Sequence, residues 1–284
     1  MNIPPGIIFG IIAMLCWGTA DFFVANAVRK TSSFKTFVWS QIIGLILFFI
    51  IFSLFFNIQI PSLSLVILIL ASGLLGAVSY LAFYKGLQIG KVSIISPVSA
   101  CWPVIAIILS LIFLSEKLTG IQSIGISLAI IGAILTSFKF NDLLKLKNVA
   151  TGIKYGVVAL IGWGIYFTFI DILVSELSWF LPMFFIKIAT VLCLLTNSTI
   201  MKKEISFPKN VALFIILIGI LEAVAYLFYG IGITSEYTAI VAPIVATFPM
   251  VTIILARVFF KEKLELNQKL GVAFVLVSLV ILSL

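Results

Sequence analysis

Residues 216 to 231 read ILIGILEAVAYLFYGI, with one carboxylate among sixteen mostly apolar positions, and that residue, Glu222, is where chemistry should be sought first. At ~1.5 Å per helical residue it lies roughly 16 Å into an apolar stretch that starts near residue 211, close to the middle of a ~30 Å hydrocarbon layer. Ionisable groups there are costly and are functional candidates. Burial favours a protonated carboxyl, the property that a proton-coupled carrier needs, whereas a protonated Glu bonded to a neighbouring helix would serve structure alone. Lys187 enters about eight residues into its own stretch. It could draw a substrate carboxylate, pair with Glu222, or run its stem to the nearer surface. Asp21 stands toward the end of the first stretch, where pairing with Arg29 and Lys30 at the interface competes with a gating role.

These residues acquire partners through an internal repeat. At a constant offset of 146 residues, Gly6, Gly10, Ala13, Trp17 and Gly18 recur as Gly152, Gly156, Ala159, Trp163 and Gly164; Gly73, Ala77 and Tyr80 recur as Gly219, Ala223 and Tyr226. Lys187 corresponds to Gln41, so both are candidates to line a shared cavity, while Glu222 corresponds to Gly76. Trp17 and Trp163 stand beside glycines that admit a second helix or a ligand, and Tyr80 and Tyr226 offer an apolar wall with one hydrogen-bonding tip. The pairs Gly6/Gly10 and Gly152/Gly156 fit small-residue helix packing. Pro97, Pro103, Glu116 and Gly125 recur as Pro243, Pro249, Glu262 and Gly271. A helical proline removes a donor and displaces the carbonyl four residues back, here Ser93, Ser99, Ala239 and Val245, and in lipid such groups need another partner. Proline-broken spans at matching places in two halves mark a transporter's central site, although kinks for packing alone are the alternative.

The elements that must position these groups follow from composition. The chain is 63% hydrophobic and 10% charged, with a mean hydropathy of +1.32, outside the range of soluble domains. Apolar stretches fall near 5 to 27, 35 to 56, 63 to 86, 92 to 114, 120 to 138, 150 to 173, 179 to 199, 211 to 231, 238 to 259 and 266 to 284. Each approaches the length that spans a bilayer. The first follows MNIPP without a basic segment and is expected to stay as a span. The expected fold is an all-α integral membrane protein of ten transmembrane helices in two five-helix repeats, residues 1–138 and 149–284, joined by a basic linker at 139–148. Because five is odd, the second repeat enters from the opposite face, which makes the repeats inverted.

The run GLLGAVSYLAFYKGLQIGKVSIISPVSACWPVIAIILSLIFLSEKL, its echo from Gly219, and the WG pairs at 17–18 and 163–164 resemble the EamA-type, ten-helix branch of the drug/metabolite transporter superfamily. The resemblance covers essentially the whole chain. It implies a secondary carrier, often an exporter of amino acids or other small metabolites, working on a small-molecule substrate within the lipid bilayer, with protons as the candidate coupling ion.

Other classes fit poorly. There is no histidine, which excludes histidine-based triads and metal centres, and the buried carboxylates show no ligand spacing, so an intramembrane enzyme is disfavoured. Cys16, Cys101 and Cys193 lie inside apolar stretches without CxxC spacing and read as core residues. Connections are too short to carry a cofactor domain or a nucleic-acid surface, so no cofactor, metal or nucleic-acid partner is expected. A channel would need rings of polar residues that the spans lack. Of the 18 Lys and Arg residues, all but Lys117 and the intramembrane Lys187 fall on the face opposite the termini. The positive-inside rule therefore predicts both termini outside, against the cytoplasmic termini that the family resemblance implies.

Overall fold

A computed structural model of the chain describes residues 4–56, 60–89, 95, 98–113, 117–137, 150–260 and 265–282. Pro97, Glu116, Glu262 and the 139–148 linker lie outside the described residues. Among the described residues, seven helices are long and apolar enough to cross a bilayer and three shorter apolar ones join them, ten in all. In the first repeat these are α1 (Pro5–Ala27), α2 (Ser33–Phe55), α3 (Leu63–Ile89), α4 (Trp102–Phe113, extended by a turn from Val98) and α5 (Gly120–Ser137). The second contains α6 (Ala150–Leu177), α7 (Leu181–Ile200), α8 (Ala212–Ser235), a span split into α9 (Thr238–Val245) and α10 (Phe248–Phe260), and α11 (Leu266–Leu282).

The two repeats interlock rather than sit side by side. α1 packs along α8, α6 packs along α3, and α5 packs along its own counterpart α11. Each pairing maps onto another, or onto itself, when the repeats are exchanged, as a twofold axis requires. With an odd number of spans per repeat, that axis lies in the membrane plane.

Glycines at the crossings show the same symmetry at atomic scale. A Cβ on Gly18 of α1 would stand 2.5 Å from Val251 Cβ, and one on Gly164 of α6 would stand 2.5 Å from Ile105 Cβ. Val251 and Ile105 are themselves 146 positions apart, so one contact is made twice. Gly10 meets Val241 and Ile244, and Gly156 meets the carbonyl of Ile95 and the side chain of Val98, again in matched positions. The small residues are therefore consumed by helix packing, where close approach recovers dispersion energy that lipid cannot supply as a driving force.

The broken spans differ in detail from the reading of the prolines. The interruption falls at Cys101 and at Ala246–Thr247, ahead of Pro103 and Pro249. Tight bonds turn both corners alike: Cys101 N–H reaches Val98 O at 3.4 Å and Thr247 N–H reaches Ile244 O at 3.1 Å, followed by Val104 N–H to Cys101 O at 3.1 Å and Met250 N–H to Thr247 O at 2.9 Å. Pro103 and Pro249 occupy the first turns of α4 and α10, where a helix has no internal acceptor for the missing N–H. They start a helix instead of kinking one. Pro243 does lie inside α9.

At the end bearing most of the basic residues, the connections 28–32 and 201–211 touch. Asn210 Nδ2 donates to Lys30 O at 3.3 Å, Trp39 Nε1 donates to Ile205 O at 2.8 Å, and Lys203 Nζ lies 4.7 Å from the centre of the Phe34 ring. Lys35 forms an ion pair with Glu204 at 2.9 Å. A hydrogen bond from Ser206 and the Lys35 ammonium hold the exposed Glu204 carboxyl below its ordinary range. Arg29, Lys30, Lys35, Lys202, Lys203 and Lys209 thus gather on one side of the bundle.

Candidate functional site

Glu222 occupies the eleventh position of the 24-residue α8 and is 2% exposed. Its Oε2 accepts a hydrogen bond from Gln41 Nε2 on α2 at 2.6 Å, and its Oε1 accepts one from the Tyr84 hydroxyl on α3 at 2.6 Å. The Gln41 amide passes the connection on, because its Oε1 accepts from Lys187 Nζ on α7 at 2.7 Å. Lys187 also stands 5.0 Å from the centre of the Tyr226 ring. A buried carboxylate and a buried ammonium are therefore joined through one neutral amide, with Tyr84 closing the carboxylate end. Such a chain keeps opposite charges in balance where either alone would be expensive.

Two of these bonds locate the axis between the repeats. Gln41 and Lys187 are 146 residues apart and bond to one another. Tyr226 and Tyr80 are also 146 apart, and the Tyr226 hydroxyl donates to the Tyr80 hydroxyl at 2.7 Å. Two positions exchanged by a twofold rotation can touch only if both lie beside the axis. The axis therefore runs between Gln41 and Lys187 and between Tyr80 and Tyr226. The polar network is lopsided about it: Glu222 and Tyr84 correspond to Gly76 and Gly230. Space beside Gly76 is filled by the Tyr166 ring, and space beside Gly230 by the Trp179 carbonyl and Met183.

Two cavities flank this centre. The larger, with an empty volume of about 310 Å³, lies between the two helix breaks; Trp102 and Phe248, the first residues after each break, are in its wall together with Trp17, Asp21, Tyr80 and Trp163. The second, about 290 Å³, is lined by Gln41, Lys187, Thr190, Tyr80, Tyr166 and Tyr226 among others. Tyr80 belongs to both walls. The Trp17 and Trp163 indole N–H groups are buried without a hydrogen-bond partner among the described residues.

Several sequence expectations are altered by this arrangement. Asp21 is not drawn to Arg29 and Lys30; it lines the larger cavity one helical turn beyond Trp17, and the ion pair Lys35–Glu204 is the only one among the described residues. Lys187 does not run to the surface, being 5% exposed, and it meets Glu222 through Gln41 rather than directly. Glu222 itself lines neither cavity, because Gln41 and Tyr84 stand in front of its two oxygens. Gln41, Tyr80 and Tyr226 converge with Lys187, and Trp17 with Trp163. Sequence reading missed Tyr84 as a carboxylate partner and Trp102 and Phe248 as cavity walls. The offset of 146 held a signal for the last two, since Trp102 and Phe248 match as bulky aromatics directly before Pro103 and Pro249.

Comparison with known proteins fits this architecture. An uncharacterized transporter of Archaeoglobus fulgidus is 22% identical over 98% of both chains. An uncharacterized protein of Methanocaldococcus jannaschii is 37% identical over 131 residues, which make up 46% of this chain and 95% of that protein, so that relative is about the length of one repeat. A solved crystal structure shares the fold with a TM-score of 0.74 at 14% identity, covering 97% of this chain and 95% of the other. The profile of the EamA-like transporter family matches twice, over residues 4–138 and 150–284, once for each five-span repeat. The chain belongs to the EamA-like transporter family of the drug/metabolite transporter superfamily and is a multi-pass membrane transporter.

Proposed function

We propose that the protein is an alternating-access secondary carrier that exports small metabolites, amino acids or related amphipathic solutes, with Glu222 carrying a coupling proton. The observation that carries this reading is the network Tyr84, Glu222, Gln41, Lys187, fixed beside the axis about which two inverted repeats exchange roles. The units 1–138 and 149–284 rock about that axis, and the spans broken at Cys101 and Ala246–Thr247, with Pro97, Pro103, Pro243 and Pro249 about them, serve as the hinges. Gln41 bridges two repeats and Tyr84 reaches Glu222 across the same interface. Rocking that parts α2 and α3 from α8 strips both donors from the carboxylate, so its proton affinity changes with the direction the site faces. That change is the physical requirement for coupling.

The test is made in proteoliposomes with a pH-sensitive dye inside, using solutes that a thermal-shift panel of amino acids, sugars, nucleosides and quaternary amines shows to stabilise the purified protein. Wild-type protein should take up or release protons with the solute. Glu222→Gln should lose the pH-driven component while retaining counterflow, because an amide can still accept from Gln41 and donate to the Tyr84 hydroxyl yet cannot exchange a proton. Undiminished pH-driven flux in that variant would remove Glu222 from the coupling step. Absence of counterflow in the wild type would remove the carrier reading itself, since a pore cannot exchange one solute molecule for another.

The gathered Lys and Arg residues support an orientation with that end in the cytoplasm and both termini outside. In a variant without Cys16, Cys101 and Cys193, a single cysteine introduced in the 139–148 linker should resist an impermeant maleimide added to intact cells and react after permeabilisation. Labelling of intact cells would reverse the orientation.

A further inference from the structure

The larger cavity has a composition that the coupling network does not use. Among the described residues its wall combines the aromatic side chains of Tyr80, Trp102, Trp163, Phe167 and Phe248 with a single carboxyl, Asp21, and includes no lysine or arginine. Asp21 has no hydrogen-bond or ion-pair partner among the described residues, although Trp17 lies a turn away on the same helix. A half-buried carboxyl set among rings with no cation beside it is neutralised either by a proton or by a cation brought in from outside, and the second makes it a binding site. Aromatic walls supply the complementary attraction, because a ring quadrupole draws a desolvated ammonium to its face.

A second, independent observation concerns the two indoles. Trp17 and Trp163 are 6% and 4% exposed, both line this cavity, and neither N–H has a partner among the described residues. Buried donors normally find an acceptor. The two are related by the axis between the repeats, so the chamber wall holds one indole with an unpartnered N–H from each repeat. The two repeats differ in charge at one matched position of the wall: Asp21 corresponds to Phe167, which places the carboxyl in the wall contributed by the first repeat and a ring in the corresponding place of the second.

We propose that this chamber is the substrate subsite and that it selects a compact monovalent alkylammonium bearing an oxygen acceptor, with Asp21 as counter-charge, the aromatic wall around the cationic head, and the Trp17 and Trp163 N–H groups donating to the oxygen. The proposal rests on reading the chain as a carrier and narrows its substrate class. The position of the chamber supports it: Trp102 and Phe248 follow the two helix breaks directly, so a cation held there senses any movement of the broken spans. Tyr80 connects the chamber to the Lys187 cavity and, through Tyr226, to the axis.

Isothermal titration of the detergent-purified full chain with choline, tetramethylammonium and 3,3-dimethyl-1-butanol tests it without any flux. The butanol has the shape of choline with carbon in place of the charged nitrogen. Choline should bind roughly tenfold or more tighter than the butanol, the factor expected for one desolvated cation–π contact with a counter-charge. Asp21→Asn should remove that preference. Trp163→Phe keeps a ring and deletes the N–H; it should weaken choline while leaving tetramethylammonium, which has no oxygen, unchanged. Equal binding of choline and the butanol, an unaffected preference in Asp21→Asn, or no cation binding by well-folded protein would each overturn the proposal. Binding without counterflow would uphold the chamber and defeat the carrier reading. Counterflow of neutral solutes without cation binding would uphold the carrier and defeat the chamber.

Discussion

Lys187→Met is expected to destabilise the protein by about 3–5 kcal/mol, the cost of stranding one member of a buried pair of opposite charges. Glu222, 2% exposed, would then face Gln41 and Tyr84 with no cation behind the amide. Glu222→Gln alone strands the ammonium in the opposite sense. The double variant removes both charges, so the two penalties should not add, and a coupling of a few kcal/mol should appear in the cycle, measured by denaturant unfolding in micelles. Additive penalties would mean that the charges are not linked through Gln41. Gln41→Leu is a sharper probe of the bridge itself. It keeps both charges, deletes the 2.6 Å and 2.7 Å bonds together, and should cost about as much as losing either charge.

The second large effect comes from the helix crossings. Gly18→Leu and Gly164→Leu should each lower stability by about 1–3 kcal/mol or more, since a Cβ alone comes to 2.5 Å from Val251 and Ile105 respectively. Because the atoms that yield are symmetry mates, the two losses should agree to within about 0.5 kcal/mol, and the double variant should add, the sites being separate. A large loss at one glycine with none at the other would contradict interlocked inverted repeats. The measurement is the unfolding midpoint of each variant beside the Gly→Ala substitutions, which force the same backbones apart by less.

Much of the architecture was legible in the sequence. Length and hydropathy determine the spans, because a backbone in lipid must bond internally and ~20 apolar residues reach across the hydrocarbon. The offset of 146 determines that the repeats match, and the parity of five determines that they are inverted. Depth along a span picks out Glu222 and Lys187, since only distance from water makes a charge expensive. The Trp17/Trp163 and Tyr80/Tyr226 pairs are visible for the same reason as the repeat itself.

Tertiary structure alone decided who meets whom. Rotation of one helix about its axis by a residue or two turns a side chain from a neighbour to a cavity at no cost to hydropathy, which is why Asp21 reads equally well as an interfacial partner of Arg29 and as a cavity acid. Contacts across repeats depend on the crossing of helices far apart in the chain, so Tyr84 beside Glu222, 138 residues away, has no local signature. The exact place of each break also needed the structure: it falls between the residues packed on Gly156 or Gly10 and the following proline, whose ring sits in the first turn of the next helix. Sequence fixes periodicity and burial energy one helix at a time; the site is made by contacts between helices, whose rotation those energies leave free.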